Sequence, residues 1–185
     1  MRLFVGLTLP GHIRDRLVSL KGGLPDARWV ADENLHLSLR FIGEVTGGDE
    51  RDIDLALQSV TGARFDLTLA GLGTFERRRR VHSVWAKVQK NVEKPRSLTT
   101  LRDRIESALV RTGLEPEHRK FTPHVTLARM KNGDARMAGL YMEIHAGFRA
   151  PTFTVERFTL FESHLSHGGA KYTVLADYPL QAVSV

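Results

Sequence analysis

The chain has 185 residues, 42% hydrophobic and 26% charged, with a formal net charge of +6 and a pI near 10.0. This is the size and balance of one globular domain with a full core. The absence of cysteine excludes disulfides, thiolate nucleophiles and cysteine zinc sites, and no apolar run reaches membrane-spanning length.

In chain order, Leu3–Leu9 reads as a strand, and Pro10 leads into a helix near 11–21 with Ile13, Leu17 and Leu20 at helical spacing. The first nine residues are too short for a signal-peptide core, and Pro10-Gly11 interrupts them; a reducing cytoplasm is the expected compartment. Gly22-Gly23 ends the helix, and Trp29-Val30 and Leu35–Ile42 are the next strands, the second closed by Gly43. Residues 49–60 carry Ile53, Leu57 and Val60 on one helical face. Arg64–Leu69 alternates as a strand, with Gly71 and Gly73 reading as turn residues after it, and Val81–Val88 alternates again. A long helix is expected over 97–112, with Leu98, Leu101, Ile105 and Leu109 as its stripe and Gly113 at its end. Phe121–Ala128 is a strand, Ala135–Ile144 a short helix, and Phe153–Phe161 and Tyr172–Leu180 the closing strands. The order implies an α+β fold of two similar lobes of antiparallel sheet, outer helices covering them and a central groove between them. No linker separates the halves, so residues 1–185 read as a single two-lobed domain.

Two of these strands repeat one pattern, His36-Leu37-Ser38-Leu39 and His124-Val125-Thr126-Leu127, about half the chain apart. In a strand, residues i and i+2 share a face. His36 therefore lies beside Ser38 and His124 beside Thr126, while Leu37, Leu39, Val125 and Leu127 point into a core. Pro123 cannot donate to a sheet ladder, so the second strand starts at an edge or a sheet end, where clefts open. Histidine holds or releases a proton near neutrality. Two such groups supply the acid and the base that phosphoryl transfer needs, and two hydroxyls can donate to non-bridging oxygens that gain charge. No Gly-x-Ser-x-Gly, no Walker loop and no His-Glu-x-x-His occurs, and Gly71-Leu72-Gly73 lacks the third glycine of a dinucleotide loop. Neither a metal nor a cofactor is expected.

The paired motifs resemble the HxTx signatures of the 2H phosphoesterase superfamily. Leu3–Leu7, Asn34–Val45, Phe121–Arg129 and Leu160–Ser163 resemble its bacterial and archaeal RNA 2′,3′-cyclic phosphodiesterases, historically called 2′-5′ RNA ligases. Ser38 departs from the more usual threonine but keeps the hydroxyl. The resemblance implies metal-independent hydrolysis of RNA 2′,3′-cyclic phosphate ends to 2′-phosphate ends, with ATP-independent 2′-5′ ligation as the reverse type of reaction. It makes His36 the proton donor and His124 the acceptor; the residues alone do not orient the pair. The implied partner is RNA with a cyclic phosphate end, bound by a monomer. The alternatives are a cyclic phosphodiesterase of small nucleotides and a non-catalytic RNA-binding module.

Other residues read both ways. The resemblance makes Arg129 a phosphate contact, yet alternation from His124 sends it to the opposite face, and only a bulge or the strand end would turn it inward. Arg40 shares the His36 face by alternation, as a phosphate contact or a solvated arginine at the groove mouth. Arg77-Arg78-Arg79-Arg80 is either a solvated loop or a clamp on RNA phosphates. Phe41, Phe75, Trp85 and Phe121 are expected in the core, although each could stack a base. His82, His118, His145, His164 and His167 lack the motif context and read as structural or surface residues.

Overall fold

The structure, a computed structural model, describes residues 1–89, 97–166 and 169–182; His167 lies outside them. Among the described residues ten strands and four α-helices run in the order β1 (Arg2–Thr8), α1 (Gly11–Val18), β2 (Arg28–Trp29), β3 (His36–Glu44), α2 (Gly47–Gln58), β4 (Phe65–Leu67), β5 (Leu69–Arg77) and β6 (Arg80–Val88). Then follow α3 (Ser97–Arg111), β7 (His124–Gly133), α4 (Ala135–Ile144), β8 (Phe153–Val155), β9 (Arg157–Ser166) and β10 (Gly169–Pro179).

The main antiparallel sheet has the order β10-β9-β1-β3-β7-β6-β5, with β2 also paired to β7, and β4 and β8 form a separate ribbon. Its middle is the junction between the two motif strands. There β3 and β7 pair through one register position, Leu37 opposite Val125. To either side, β3 follows β1 and β7 follows β6 along their lengths. The sheet thus splits into two lobes that diverge from their junction, and β2 enters the gap beside Ala128 and Arg129.

Helices cover the lobes through the stripes read from the sequence. Helices α2 and α3 pack together, α3 against β3 and α2 against β10, while α4 lies on β5 and β6. Ile53 and Leu57 of α2, and Leu98, Leu101, Ile105 and Leu109 of α3, are buried. Tyr141 of α4 donates its hydroxyl to the Leu20 carbonyl at 2.5 Å, tying α4 to the end of α1. Leu37, Leu39, Val125 and Leu127 lie in the core. Burying each of these side chains is worth roughly 1.5–3 kcal/mol. A one-residue slip of either motif strand would expose its pair, so the register that aims the histidines is held by the core.

The lobes are not the sequential halves of the chain. The His36 lobe takes β1 and β3 from the beginning and β9 and β10 from the end, with Phe4 opposite Phe161 and Val5 opposite Leu160. The His124 lobe is built from the intervening β5, β6 and β7. The segment expected as one strand over 153–161 breaks at Glu156 into β8 and β9.

One strand, β5, departs from the expected pattern. Gly71 and Gly73 read as turn residues, but both lie inside it. Gly71 has φ 75° at a register shift between Leu69 and Leu72. Gly73 leaves room for a neighbour: a β-carbon there would stand 2.4 Å from the Trp85 ring. These glycines serve a bulge and a close approach, two uses of glycine within a strand. Gly73→Ala should therefore lower stability by about 1–3 kcal/mol and move Trp85, read as a lower urea midpoint with changed tryptophan fluorescence.

Candidate active site

Continuing the Leu37–Val125 register sets His36 opposite Thr126 and Ser38 opposite His124, all four on the face away from the core. The two motifs thus interlock head to tail. They line a groove of about 490 Å³ that also includes Phe41 and Arg129. A second cavity, about 510 Å³, is walled by Phe65, Leu67, Phe121 and neighbours and contains neither histidine.

Both imidazoles are held the same way. His36 Nδ1 donates to the Asn34 carbonyl at 2.7 Å, and His124 Nδ1 donates to the Thr122 carbonyl at 2.6 Å. A carbonyl only accepts, so each Nδ1 carries a proton, and each Nε2 is the atom that exchanges one. In neutral His36 the Ser38 hydroxyl donates to Nε2 across 3.0 Å; in the charged form Nε2–H donates to the Ser38 oxygen. Among the described residues His124 Nε2 makes no hydrogen bond. The carbonyl acceptors lie two residues before each histidine. A motif read from His onward misses them, although the matching offset is present in the sequence.

Aromatic rings fix the imidazole planes. Phe4 and Tyr172 pack on His36 at 4.9 and 5.0 Å between ring centres, and Phe75 and Trp85 on His124 at 5.0 and 5.3 Å. Phe4 and Tyr172 have no motif to announce them. Trp85 is buried as expected, whereas Phe41 and Phe75 are exposed rather than core residues. Burial is the main force lowering both histidine pKa values below the ordinary figure. The Asn34 and Thr122 carbonyls oppose it, and the Arg129 charge adds to the lowering at both sites; His124 adds further at His36.

The two arginines expected near the site exchange places with the simple alternation. Between β1 and β3 the register runs Gly6–Ser38 and then Val5–Arg40, skipping Leu39. Between β6 and β7 it runs Trp85–Thr126 and then Val84–Ala128, skipping Leu127. Each strand therefore carries a bulge three residues after its histidine, and the alternation reverses beyond it. In β3 the bulge buries Arg40 and turns Phe41 into the groove; in β7 it buries Ala128 and turns Arg129 into the groove. Arg40 is thus not in the groove. Its Nε donates to Glu106 Oε2 at 2.5 Å and its Nη2 to the Glu115 carbonyl at 2.5 Å. Glu106 also accepts the Glu117 N–H at 2.7 Å. Arg2 stands over the Phe41 ring at 5.0 Å and lines the same groove, a position the sequence did not single out.

A split antiparallel sheet with one His-x-hydroxyl strand per lobe defines the class: a 2H phosphoesterase. More narrowly, the chain belongs to the 2′-5′ RNA ligase superfamily, whose sequence profile matches residues 9–166. It is 34% identical over 182 residues to the RNA 2′,3′-cyclic phosphodiesterase of Escherichia coli K12, covering 97% of this chain and 96% of the relative. It is 42% identical over 109 residues to the protein of the same name from Aeropyrum pernix, covering 59% and 60%. Its fold matches the crystal structure of E. coli LigT complexed with 3′-AMP, with a TM-score of 0.77 and 30% identity over 97% of each chain.

Arg40 has a structural charge with a stability signature. Arg40→Met leaves Glu106, 14% exposed, without its cation, and breaking a buried pair costs about 3 kcal/mol. Chemical denaturation should show that loss, and a stability equal to that of the parent would contradict the role.

Proposed function

We propose that this chain hydrolyses RNA 2′,3′-cyclic phosphate ends to 2′-phosphate ends, with His36 and His124 as acid and base. The reading is carried by one observation: two imidazoles share a groove, each with Nδ1 tied to a carbonyl and Nε2 available for proton exchange. His124 Nε2 accepts a proton from water as the water oxygen attacks phosphorus. The P–O3′ bond breaks, and His36 Nε2–H protonates O3′, leaving the phosphate on O2′. With His36 charged, the Ser38 oxygen accepts from Nε2–H, which leaves the Ser38 O–H free to turn towards the phosphate. Ser38, Thr126 and Arg129 donate to the non-bridging oxygens as they gain charge.

A 5′-hydroxyl in place of water gives a 2′-5′ linkage by the same bond changes, driven by the strained ring without ATP. The domain acts as a monomer. Among the described residues no helix is long and apolar enough to cross a membrane, and the cysteine-free chain fits a cytoplasmic enzyme. Arg40 has no part in this scheme.

His36→Ala and His124→Ala should each lower kcat/KM on a cyclic-phosphate oligonucleotide by about 10²–10⁴-fold, measured in chelator with a 2′-phosphate product. Parent-like rates in either variant, or activity lost to chelator, would refute the mechanism.

The pH profile follows from the same groups. Both pKa values are lowered in the free protein, so kcat/KM should be bell-shaped and centred below the ordinary histidine range. A bound phosphodiester anion raises both, so kcat should peak at higher pH. Arg129→Gln removes a cation that depresses both groups; both limbs of kcat/KM should move alkaline while kcat falls. An unmoved profile would separate Arg129 from the histidines.

A further inference from the structure

The tip of the β5–β6 hairpin carries the strongest charge run of the chain, and its backbone is unusual. Arg77 pairs with Arg80, leaving Arg78 and Arg79 as a two-residue loop with φ 50° and 61°. Such loops need positive φ at both positions, and Asn-Gly or Asp-Gly is the preferred filling because glycine has no Cβ and the short Asn or Asp side chain bonds locally, whereas a long side chain is strained there. This chain places two arginines where its fold favours the opposite composition. Among the described residues none of Arg77, Arg78, Arg79 or Arg80 forms an ion pair within 4.0 Å. Of the acids nearby, Glu76 accepts from Thr74, and Asp134 caps α4 through the Arg136 and Met137 N–H groups while the Arg80 charge also acts on it, so Arg77, Arg78 and Arg79 carry most of the uncompensated charge.

The hairpin also leads to the groove. Phe75 packs on His124 at 5.0 Å and is 40% exposed. Arg78, at the start of the loop, is three residues further along the chain, at most roughly 10 Å, a span of a few nucleotides at about 3.4 Å of axial rise each.

We infer that the Arg77–Arg80 tip is an RNA-backbone subsite that holds phosphates a few nucleotides upstream of the cyclic end. The inference rests on the cyclic phosphodiesterase reading. It makes the enzyme prefer an oligonucleotide end to a mononucleotide, with strained arginines kept for their charge.

The test is the double substitution Arg78→Asn with Arg79→Gly, which suits the turn and removes two charges. Its melting temperature should rise by about 4 °C or more. Turnover of a mononucleotide 2′,3′-cyclic phosphate should stay within twofold of the parent. The KM for a cyclic-phosphate decamer should rise, and the log–log salt slope for binding a 2′-phosphate decamer, read by anisotropy, should fall by about 1.4 for two lost contacts. Arg78→Lys with Arg79→Lys, which keeps the charge, should retain the decamer KM and slope. An unchanged slope and decamer KM in the Asn-Gly variant overturn the subsite, as does an equal loss on both substrates. A parent protein that turns over neither substrate overturns the phosphodiesterase reading instead, and the anisotropy slope still decides the subsite.

Discussion

Leu37 and Val125 meet at the centre of the main sheet, and their backbone pairing is the one registered contact between the two motif strands. Because the strands are antiparallel, this single position makes the motifs interlock, with each histidine opposite the other motif's hydroxyl. Because the pairing stops there, the lobes open into a groove. Both residues are fully buried, so the pairing is anchored by apolar surface on one side and presents polar groups on the other. A tight continuous ladder would close the groove, and no ladder would leave the imidazoles without a fixed relation.

The second constraint is the repeated bulge. It falls at the same offset in both strands, after Leu39 and after Leu127, and has the same effect in each. The groove gains a residue five positions beyond each histidine: Phe41 on one side and Arg129 on the other. The two lobes are thus alike in backbone and unlike in chemistry at matching positions. Arg129 supplies a charge that lowers both histidine pKa values, while Phe41 supplies a ring with Arg2 above it. This asymmetry within a shared frame suits a reaction whose two proton transfers differ.

Much of this was legible in the sequence because it follows from short-range periodicity. The faces of His36, Ser38, His124 and Thr126 follow from strand alternation up to the bulge, and the stripes of α2 and α3 follow from helical spacing. What was not legible depends on contacts between distant segments. Gly71 and Gly73 read as turn residues because a glycine's sequence context does not distinguish a loop from space for Trp85 across the sheet. Alternation puts Arg40 at the groove, whereas a bulge and Glu106, far along the chain, set its actual position. Alternation alone placed Arg129 on the wrong face; resemblance to relatives pointed it inward, and the bulge supplies the reason. Phe4, Phe161 and Tyr172 gather around His36 only when the last strands pair with the first.

That last arrangement bears on how the protein comes into being. The imidazole of His36 appears early in synthesis, but two of the rings that pack on it, Phe161 and Tyr172, arrive with β9 and β10. Strand β1 lies between β3 and β9, so one of its edges stays open on the nascent chain until β9 has been made. Contacts this distant close slowly, and an unpaired apolar strand is a hazard while it waits. The His124 lobe, assembled from neighbouring strands, can form first and serve as the surface on which the other is completed. A chain stopped before β9 would therefore contain both histidine motifs and yet lack two of the rings that pack on His36, which makes the His36 wall of the groove a late product of folding.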